Sequence, residues 1–289
     1  MKFSCIFAIL AACFYALNAP FSKILLSEIP STLLAGLLYL GAGIGMGIVY
    51  LIRRRIIKND KEKSLDKKDL KYVVMMILLD IIAPIMLLLS LKSNNSESIA
   101  LINNFEIVAT SLIAYLFFKE KINFKLGLGI ILVTIASILL SVNFDNGITF
   151  TTSCLFAFLA CISWGFENNC TRSISDKDPF QIVVLKGIFS GLGSIVIGLV
   201  VGDVITNYIF IIYALILGFI AYGMSVFFYV LAQRYIGASK TSAYYALAPF
   251  ISVLISFILF NNPISSIFVL AFVIMIIGIV LVTIDDLKK

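Results

Sequence analysis

Ten long apolar stretches dominate the sequence and restrict the folds open to it. A helix needs about 20 mostly apolar residues to cross the hydrocarbon core of a bilayer. Apolar residues make up 61% of the chain and charged residues 13%, whereas about 45–50% and about 25% are usual in soluble domains. We therefore predict an all-α integral membrane protein with ten transmembrane helices. The predicted spans cover residues 3–26, 31–52, 70–91, 96–118, 125–142, 151–171, 179–202, 206–232, 239–260 and 263–284.

The lysines and arginines are spread unevenly over the polar breaks between these spans. All but three of the 22 lie before span 1, after span 10, or from the end of an even-numbered span to the second residue of the next odd-numbered span; the exceptions are Lys23, Lys92 and Lys186. Basic segments of this kind face the cytoplasm. We expect a multi-pass protein of the cell's inner or plasma membrane with both termini cytoplasmic. The net charge of +6 then reflects orientation in the lipid bilayer, and no nucleic acid partner is expected.

The sequence contains an internal repeat. A shift of 149 residues places "CIFAILAACFYALNAPFSK", residues 5–23, over "CLFAFLACISWGFENNCTR", residues 154–172. A shift of 143 places residues 96–110 over residues 239–253. Two tandem copies of five spans must have opposite orientations because five is odd, and inverted repeats are common in secondary transporters. The two predicted five-helix repeats occupy residues 1–145 and 150–289.

The repeat also decides how the amino-terminal segment is interpreted. Leu10-Ala11-Ala12-Cys13 resembles a lipoprotein cleavage box behind a short apolar run. The same pattern recurs in mid-chain, where no sorting signal belongs, and cleavage before Cys13 would leave nine spans. We expect the first helix to be a permanent part of the protein.

Two long segments carry a resemblance to a known family. They are "NNFEIVATSLIAYLFFKEKINFKLGLGIILVTIASILLS", residues 103–141, and "GASKTSAYYALAPFISVLISFILFNNPISSIFVLAFVIMIIGIVLV", residues 237–282. Each resembles the repeat of the EamA family in the drug/metabolite transporter superfamily: a helix, a short turn with an acidic residue, and an apolar helix. "SWGFENNCTR", residues 163–172, is similar to the start of the family's second repeat.

The resemblance implies a ten-helix monomer or homodimer with a central cavity between the two repeats. It implies transport of small metabolites, often amino acids and commonly outward. The sequence departs from the family pattern at one point. Glu120 occupies the acidic turn of the first repeat, whereas Asn262-Pro263 stands at the corresponding turn of the second. A mechanism that needs both carboxylates is therefore in question.

Glu106 is the strongest candidate for a substrate-binding residue. It lies near the middle of span 4, where an ionisable side chain is costly unless it serves a function. Asn103, three residues earlier, shares its helix face. Glu106 could bind a substrate amine, take up a proton or alternate between the two. The alternative is a structural hydrogen bond that joins two spans.

Asp80 lies near the middle of span 3 and is followed by Pro84, which permits a kink. It is a second candidate for substrate binding, and a structural ion pair with Lys186 is the alternative. Glu167 lies closer to the cytoplasmic end of span 6, and we expect it on a solvated face.

Four further candidates for the substrate site are aromatic or amide residues. Tyr244 and Tyr245 occupy the position in the second repeat that corresponds to the Asn103–Glu106 turn. Their rings could close over an apolar or cationic part of a substrate, or serve only as packing. Trp164 lies far from the membrane interfaces that usually attract tryptophan. Asn18 precedes Pro20 in span 1 and suggests a local break in that helix.

Other patterns exclude functions. "GAGIGMG", residues 41–47, lies inside a span without a preceding strand, so we interpret it as a surface for close helix approach. The sequence contains no HExxH, G-x-S-x-G or Walker motif, so we expect neither an enzyme nor a cofactor. The five cysteines lie in apolar runs without a C-x-x-C pair, and we expect them to be buried, inert packing residues.

The sequence thus predicts a secondary active or facilitative transporter, with export the expected direction. Its expected substrate is a small polar metabolite such as an amino acid, carried by alternating access. The alternatives are a translocase of lipid or lipid-linked sugar and a membrane scaffold that transports nothing.

Overall fold

The computed structural model describes residues 4–56, 62–91, 105–141, 152–260 and 266–287, and this part of the chain is almost entirely helical. The helices are α1 (Ser4–Ala16), α2 (Asn18–Leu25), α3 (Ser31–Ile56), α4 (Leu70–Leu91), α5 (Glu106–Leu116), α6 (Phe124–Ser141), α7 (Thr152–Ser173), α8 (Pro179–Val201), α9 (Ile209–Leu217), a π-helix (Gly218–Met224), α10 (Ser225–Ile236), α11 (Ala238–Tyr245), α12 (Ala248–Phe260) and α13 (Ser266–Leu287).

Seven of the ten predicted spans are, within the described residues, helical stretches long and apolar enough to cross a membrane. They are Ser4–Leu25, Ser31–Ile56, Leu70–Leu87, Pro179–Val201, Ile209–Ile236, Ala238–Leu259 and Ser266–Ile284. The other three spans correspond to α5, α6 and α7. Helix α5 is described only from Glu106 onward, and α6 is a shorter apolar helix. Helix α7 is less apolar because it contains Glu167, Asn168 and Asn169.

The helix contacts have the pattern of a twofold inverted repeat. Span 2 packs on span 7 (α3 on α8), and span 5 packs on span 10 (α6 on α13). Span 3 packs on span 6 (α4 on α7), and the equivalent pair is span 8 on span 1 (α10 and the π-helix on α1). Span 4 packs on span 6 (α5 on α7), with span 9 on span 1 as its counterpart (α11 and α12 on α1). Exchange of the two halves therefore maps each of these contacts either onto itself or onto another contact of the set.

Glycines allow the two central helix pairs to approach closely. A Cβ atom on Gly43 of α3 would collide with the backbone of Gly187 and Ile188 in α8, and one on Gly187 would collide with Gly43. This confirms that the glycines of residues 41–47 form a close-packing surface. In the same way, Gly129 of α6 faces Gly278 of α13, each against the carbonyl oxygen of the other.

Three spans are interrupted near their middle. Span 1 breaks at Leu17, between α1 and α2, because the Pro20 ring displaces the carbonyl four residues earlier. Span 9 breaks between α11 and α12, just before Pro249. Span 8 contains the π-helix, a geometry that is often found at functional sites and that the sequence did not predict. In contrast, α4 continues through Pro84.

A network of ion pairs joins the two repeats at the end of the bundle that carries most of the basic residues. Its paired atoms are Arg53 with Asp178 at 3.5 Å, Lys177 with Asp66 at 3.2 Å and with Asp69 at 3.0 Å, and Arg234 with Glu62 at 3.1 Å. We call these seven residues the basic-end network. The guanidinium of Arg234 also donates to the carbonyl oxygens of Ser175 and Lys177. The connector after α3 is thereby held against the second repeat.

Hydrogen bonds in this network change the acidity of Asp66 and Lys177, which lie outside the membrane-spanning helices. The backbone N–H of Lys68 and the Lys177 ammonium both donate to Asp66, and they hold the pKa of its carboxyl below the usual value. Hydrogen bonds to Asp69 and Asp66 raise the pKa of Lys177. Both groups are therefore charged throughout the neutral range.

Candidate functional site

A cavity of about 440 Å³ lies between the two repeats. This volume is in the range of pockets that bind small organic molecules. Side chains from both repeats line it, and they are supplied by α1, α3, α4, α5, α7, α8, the π-helix, α10 and α11. The lining residues are Tyr15, Ala35, Tyr39, Asp80, Pro84, Leu87, Glu106, Trp164, Glu167, Asn168, Thr171, Lys186, Tyr222, Val226, Tyr229 and Tyr245.

Three buried charges in the cavity wall form one ion-pair cluster. Lys186 Nζ of α8 lies 3.2 Å from Asp80 Oδ2 of α4 and 2.8 Å from Glu167 Oε1 of α7. Asp80, Glu167 and Lys186 are only 1%, 2% and 8% exposed, and we call them the buried triad. Buried charges are tolerated only when paired and hydrogen-bonded. Here Tyr39 donates to Asp80 and Thr171 donates to Glu167.

Glu106 stands apart from this triad. It is the first residue of α5, partly buried, and its Oε1 accepts a hydrogen bond of 3.1 Å from the amide of Asn168. Asn168 also donates to the hydroxyl of Thr110, 3.2 Å away. Neighbouring Asn169 donates to the carbonyl oxygens of Thr110 and Gly165. The contact between Glu106 and Asn168 thus joins spans 4 and 6, as the structural alternative expected, while Glu106 also lines the cavity.

Five tyrosines form a continuous chain of aromatic contacts along the cavity. The ring of Tyr222 lies 5.2 Å from that of Tyr39 and 5.6 Å from that of Tyr15. Tyr245 continues the chain, 5.2 Å from Tyr15 and 4.9 Å from Tyr229. These rings come from α1, α3, the π-helix, α10 and α11. The contacts alternate between the repeats. Tyr222 of the second repeat lies between Tyr39 and Tyr15 of the first, and Tyr15 lies between Tyr222 and Tyr245 of the second.

The seven predicted site residues have four different outcomes. Asp80, Glu106, Trp164 and Tyr245 line the cavity together. Asn18 lies beside it, where its amide donates to the hydroxyl of Tyr222 at 3.4 Å.

Tyr244 and Asn103 make up the rest of the prediction. The structure corrects the prediction that Tyr244 lines the substrate site. Its side chain is 1% exposed, packs in the apolar core, and shares a 2.6 Å hydrogen bond with Thr283 of α13. Adjacent helical residues point in directions about 100° apart, so only Tyr245 of the pair faces the cavity. Asn103 falls outside the described residues.

The expectation of a solvated face for Glu167 is wrong. Its carboxylate is buried, and the ammonium of Lys186 compensates its charge. Lys186 lies farther from the polar breaks than the other cations of the second repeat. The alternative interpretation of Asp80, an ion pair with Lys186, is confirmed, but nothing in the sequence indicated that one lysine serves two carboxylates. A similar correction applies to Cys13, which is exposed, whereas Cys161 and Cys170 are buried as expected.

Sequence reasoning did not select four of the five cavity tyrosines. Tyr15, Tyr39, Tyr222 and Tyr229 all lie inside apolar spans, away from the interfaces where tyrosine is usually found. That position was an available signal. The 149-residue shift was another, since it aligns Tyr15 with Trp164, and both residues line the cavity.

The asymmetric acidic turn lies away from the cavity. The carboxylate of Glu120 accepts hydrogen bonds from the backbone N–H groups of Ala238 and Ser239, at 3.0 and 3.2 Å. It therefore caps the amino terminus of α11 in the other repeat. Glu120 stabilises the contact between the repeats and does not line the cavity.

A polar cavity enclosed between two inverted halves of a ten-helix bundle defines a multi-pass membrane transporter rather than an enzyme. The chain belongs to the EamA-like transporter family, which matches residues 2–142 and 151–284. This membership confirms both the predicted fold class and the predicted superfamily.

Two further comparisons agree with this assignment. An uncharacterized transporter from Methanothermobacter thermautotrophicus (strain Delta H) is 24% identical over 287 residues, which cover 94% of this chain and 83% of the relative. A solved crystal structure superimposes with a TM-score of 0.81 at 13% identity and covers 99% of both chains. At that identity the structural likeness concerns the fold alone.

Proposed function

We propose that the protein is a secondary active or facilitative exporter of small polar metabolites, with amino acids the first candidates. The observation that carries this proposal is the cavity of about 440 Å³ between the repeats, lined by Asp80, Glu106, Glu167 and Lys186. Ionisable side chains inside a membrane bundle typically mark a substrate or ion pathway. Such a lining suits a polar solute better than the acyl chains of a lipid.

In the proposed mechanism the two repeats rock about the cavity and expose it to each side of the membrane in turn. The basic-end network holds the connector of the first repeat against the second repeat. Its ion pairs lie at the end of the bundle and are partly exposed, so water can replace them more easily than it can replace those of the buried triad. It would therefore separate when the cavity opens toward that side.

The direction and location are part of the same proposal. The lysine and arginine distribution supports a protein of the plasma membrane with cytoplasmic termini. Outward transport rests on the resemblance to the EamA family. The basic-end network would then lie on the cytoplasmic side and close the substrate entrance.

The test is a flux assay in proteoliposomes preloaded with a panel of amino acids, amines, sugars and nucleosides. We expect the protein to release at least one solute faster than protein-free liposomes do. Glu106→Gln should reduce this flux at least tenfold, because the carboxylate in the cavity is lost. Glu28→Gln, the same change outside the cavity, is the matched control and should transport normally.

Three results would contradict the proposal. Flux that is unaffected by Glu106→Gln would remove the cavity from the pathway. Movement of a labelled lipid across the bilayer without solute flux would favour a lipid translocase. If the whole panel gave no flux while a partner protein co-purified, the transporter proposal would fail in favour of a scaffold.

A further inference from the structure

The charges that line the cavity do not balance. Among the described lining residues, three are carboxylates (Asp80, Glu106 and Glu167), and one is a cation, Lys186. With all four ionised, the wall carries a net charge of −2. An empty, water-filled cavity tolerates this imbalance, but a bound solute that displaces the water must compensate for it.

The charge of Lys186 is already compensated by carboxylates of the protein. Its ammonium lies between two carboxylates, at 2.8 and 3.2 Å, and its side chain is largely buried. A substrate carboxylate bound there would be a third anion around one ammonium, which is electrostatically unfavourable in a buried setting. The cavity is therefore poorly suited to the carboxylate of an amino acid.

Glu106 has the opposite character. Within the described part of the chain it receives the hydrogen bond from Asn168 and makes no ion pair. A carboxylate accepts up to about four hydrogen bonds, so this group can bind a further donor. Glu106 lies in the same cavity wall as the triad, but Lys186 pairs with the two triad carboxylates and not with Glu106.

The tyrosine chain provides the second, independent argument. Five rings in mutual contact, from Tyr39 through Tyr222, Tyr15 and Tyr245 to Tyr229, line the same cavity. The negative faces of aromatic rings attract cations, most strongly where the contact is desolvated. An aromatic wall beside a free carboxylate is the environment that recognises an alkylammonium group.

We propose that the cavity selects an organic amine without a carboxylate, and that the ammonium group binds between Glu106 and the tyrosine chain. This inference rests on the proposed function and narrows its substrate class. Amino acids would be poorer ligands than the corresponding decarboxylated amines, because the single lysine is already engaged.

The experiment compares three ligands that share a phenylethyl group by calorimetric titration of the purified full-length protein. The ligands are 2-phenylethylamine, with only an ammonium group; phenylalanine, with both groups; and 3-phenylpropionate, with only a carboxylate. We expect the amine to bind at least tenfold more tightly than phenylalanine, and 3-phenylpropionate to bind most weakly. The titration should be repeated with Glu106→Gln and with Glu28→Gln as the matched control.

Glu106→Gln should weaken binding of the amine at least tenfold, whereas Glu28→Gln should not change it. A pair of substitutions at Tyr222 tests the aromatic argument without removing a charge. Tyr222→Phe keeps the ring and should bind the amine within about threefold of the wild type, and Tyr222→Leu should bind it several-fold more weakly. The Tyr222 pair remains informative even if Glu106→Gln does not fold.

Tighter binding of phenylalanine or 3-phenylpropionate than of the amine would overturn this inference and leave the proposed transport function intact. Equal binding of the amine to wild type and Glu106→Gln would also overturn it. If none of the three ligands binds, the inference fails, and the flux panel described above decides the proposed function separately.

Discussion

Two clusters of charge, the buried triad and the basic-end network, join the two halves of this protein by different physics. In the triad, Lys186 is 8% exposed and pairs with carboxylates that are almost fully buried. In the network, the exposed fraction of the side chains ranges from 4% for Asp178 through 14% for Lys177 to 53% for Asp66. Coulomb interactions are strong and poorly screened in the first setting, and water reaches and screens more of the second. The triad is suited to a fixed cavity wall, and the network is suited to repeated opening.

The largest expected effect is the loss of the lysine in the triad. Lys186→Met leaves Asp80 and Glu167 as adjacent buried carboxylates without a cation, and we expect it to lower the free energy of unfolding by about 3–5 kcal/mol. Chemical denaturation in detergent micelles measures this change. Lys177→Met makes the same substitution in the basic-end network and should leave the unfolding midpoint nearly unchanged. Similar losses for the two variants would remove the distinction between the clusters.

Removal of either triad carboxylate should cost less stability than removal of the lysine. Removal of both should have an effect that differs from the sum of the two. Asp80→Asn leaves Lys186 paired with Glu167, and Glu167→Gln leaves it paired with Asp80. Each should cost about 1–3 kcal/mol, the penalty of one lost charged hydrogen bond. The double variant leaves a buried, unpaired ammonium, so its loss should exceed the sum of the single losses in a double-mutant cycle. Additive losses would show that the two carboxylates act independently.

In the basic-end network the expected change concerns local opening rather than global stability. Arg234→Gln removes the ion pair to Glu62 and the hydrogen bonds to the carbonyl oxygens of Ser175 and Lys177. Trypsin should then cut the lysine-rich connector at residues 63–68 several-fold faster, because this segment separates more often from the second repeat. Arg55→Gln changes a nearby exposed arginine and is the control. Unchanged cleavage in Arg234→Gln would mean that other contacts hold the connector.

The smallest expected effect is the pH dependence of the network. The lowered pKa of Asp66 means that its contribution to stability is present above the unfolded-state pKa, about 3.9, and is lost as the pH falls through the folded-state value. The pKa of Lys177 is raised in the folded state. Its contribution to stability is therefore present below the unfolded-state pKa, about 10.4, and is lost as the pH rises through the higher folded-state value. Wild type and Asp66→Asn should therefore differ in melting temperature by a small amount that is constant from about pH 5 to about pH 9. A difference that changed sharply within this range would point to another titrating group.

Much of the fold could be predicted because the bilayer imposes a simple rule on sequence. Every span needs about 20 apolar residues, and the positions of lysine and arginine identify the polar breaks. The odd number of spans in each copy then requires an inverted repeat. In the structure span 2 packs on span 7 and span 5 packs on span 10, which is the pairing that two inverted copies produce.

The candidate site was less predictable because it depends on which helix faces meet. Glu106 and Asp80 could be selected from the sequence, since a carboxylate inside an apolar span is unusual wherever it points. Tyr244 and Tyr245 could not be separated, because adjacent positions are equally plausible until the neighbours of the helix are known. The burial of Glu167 likewise required Lys186, which is 19 residues away and on a different span.

The sequence by itself determined the solvent, the number of spans and the inverted relation of the two halves, because each follows from composition and count along the chain. Only the tertiary structure decided that one lysine serves two carboxylates, that five tyrosines from both repeats form one aromatic wall, and that Glu120 caps a helix of the opposite half. These features are contacts between residues distant in sequence. They depend on the angle and depth at which helices pack, which periodicity and composition do not specify.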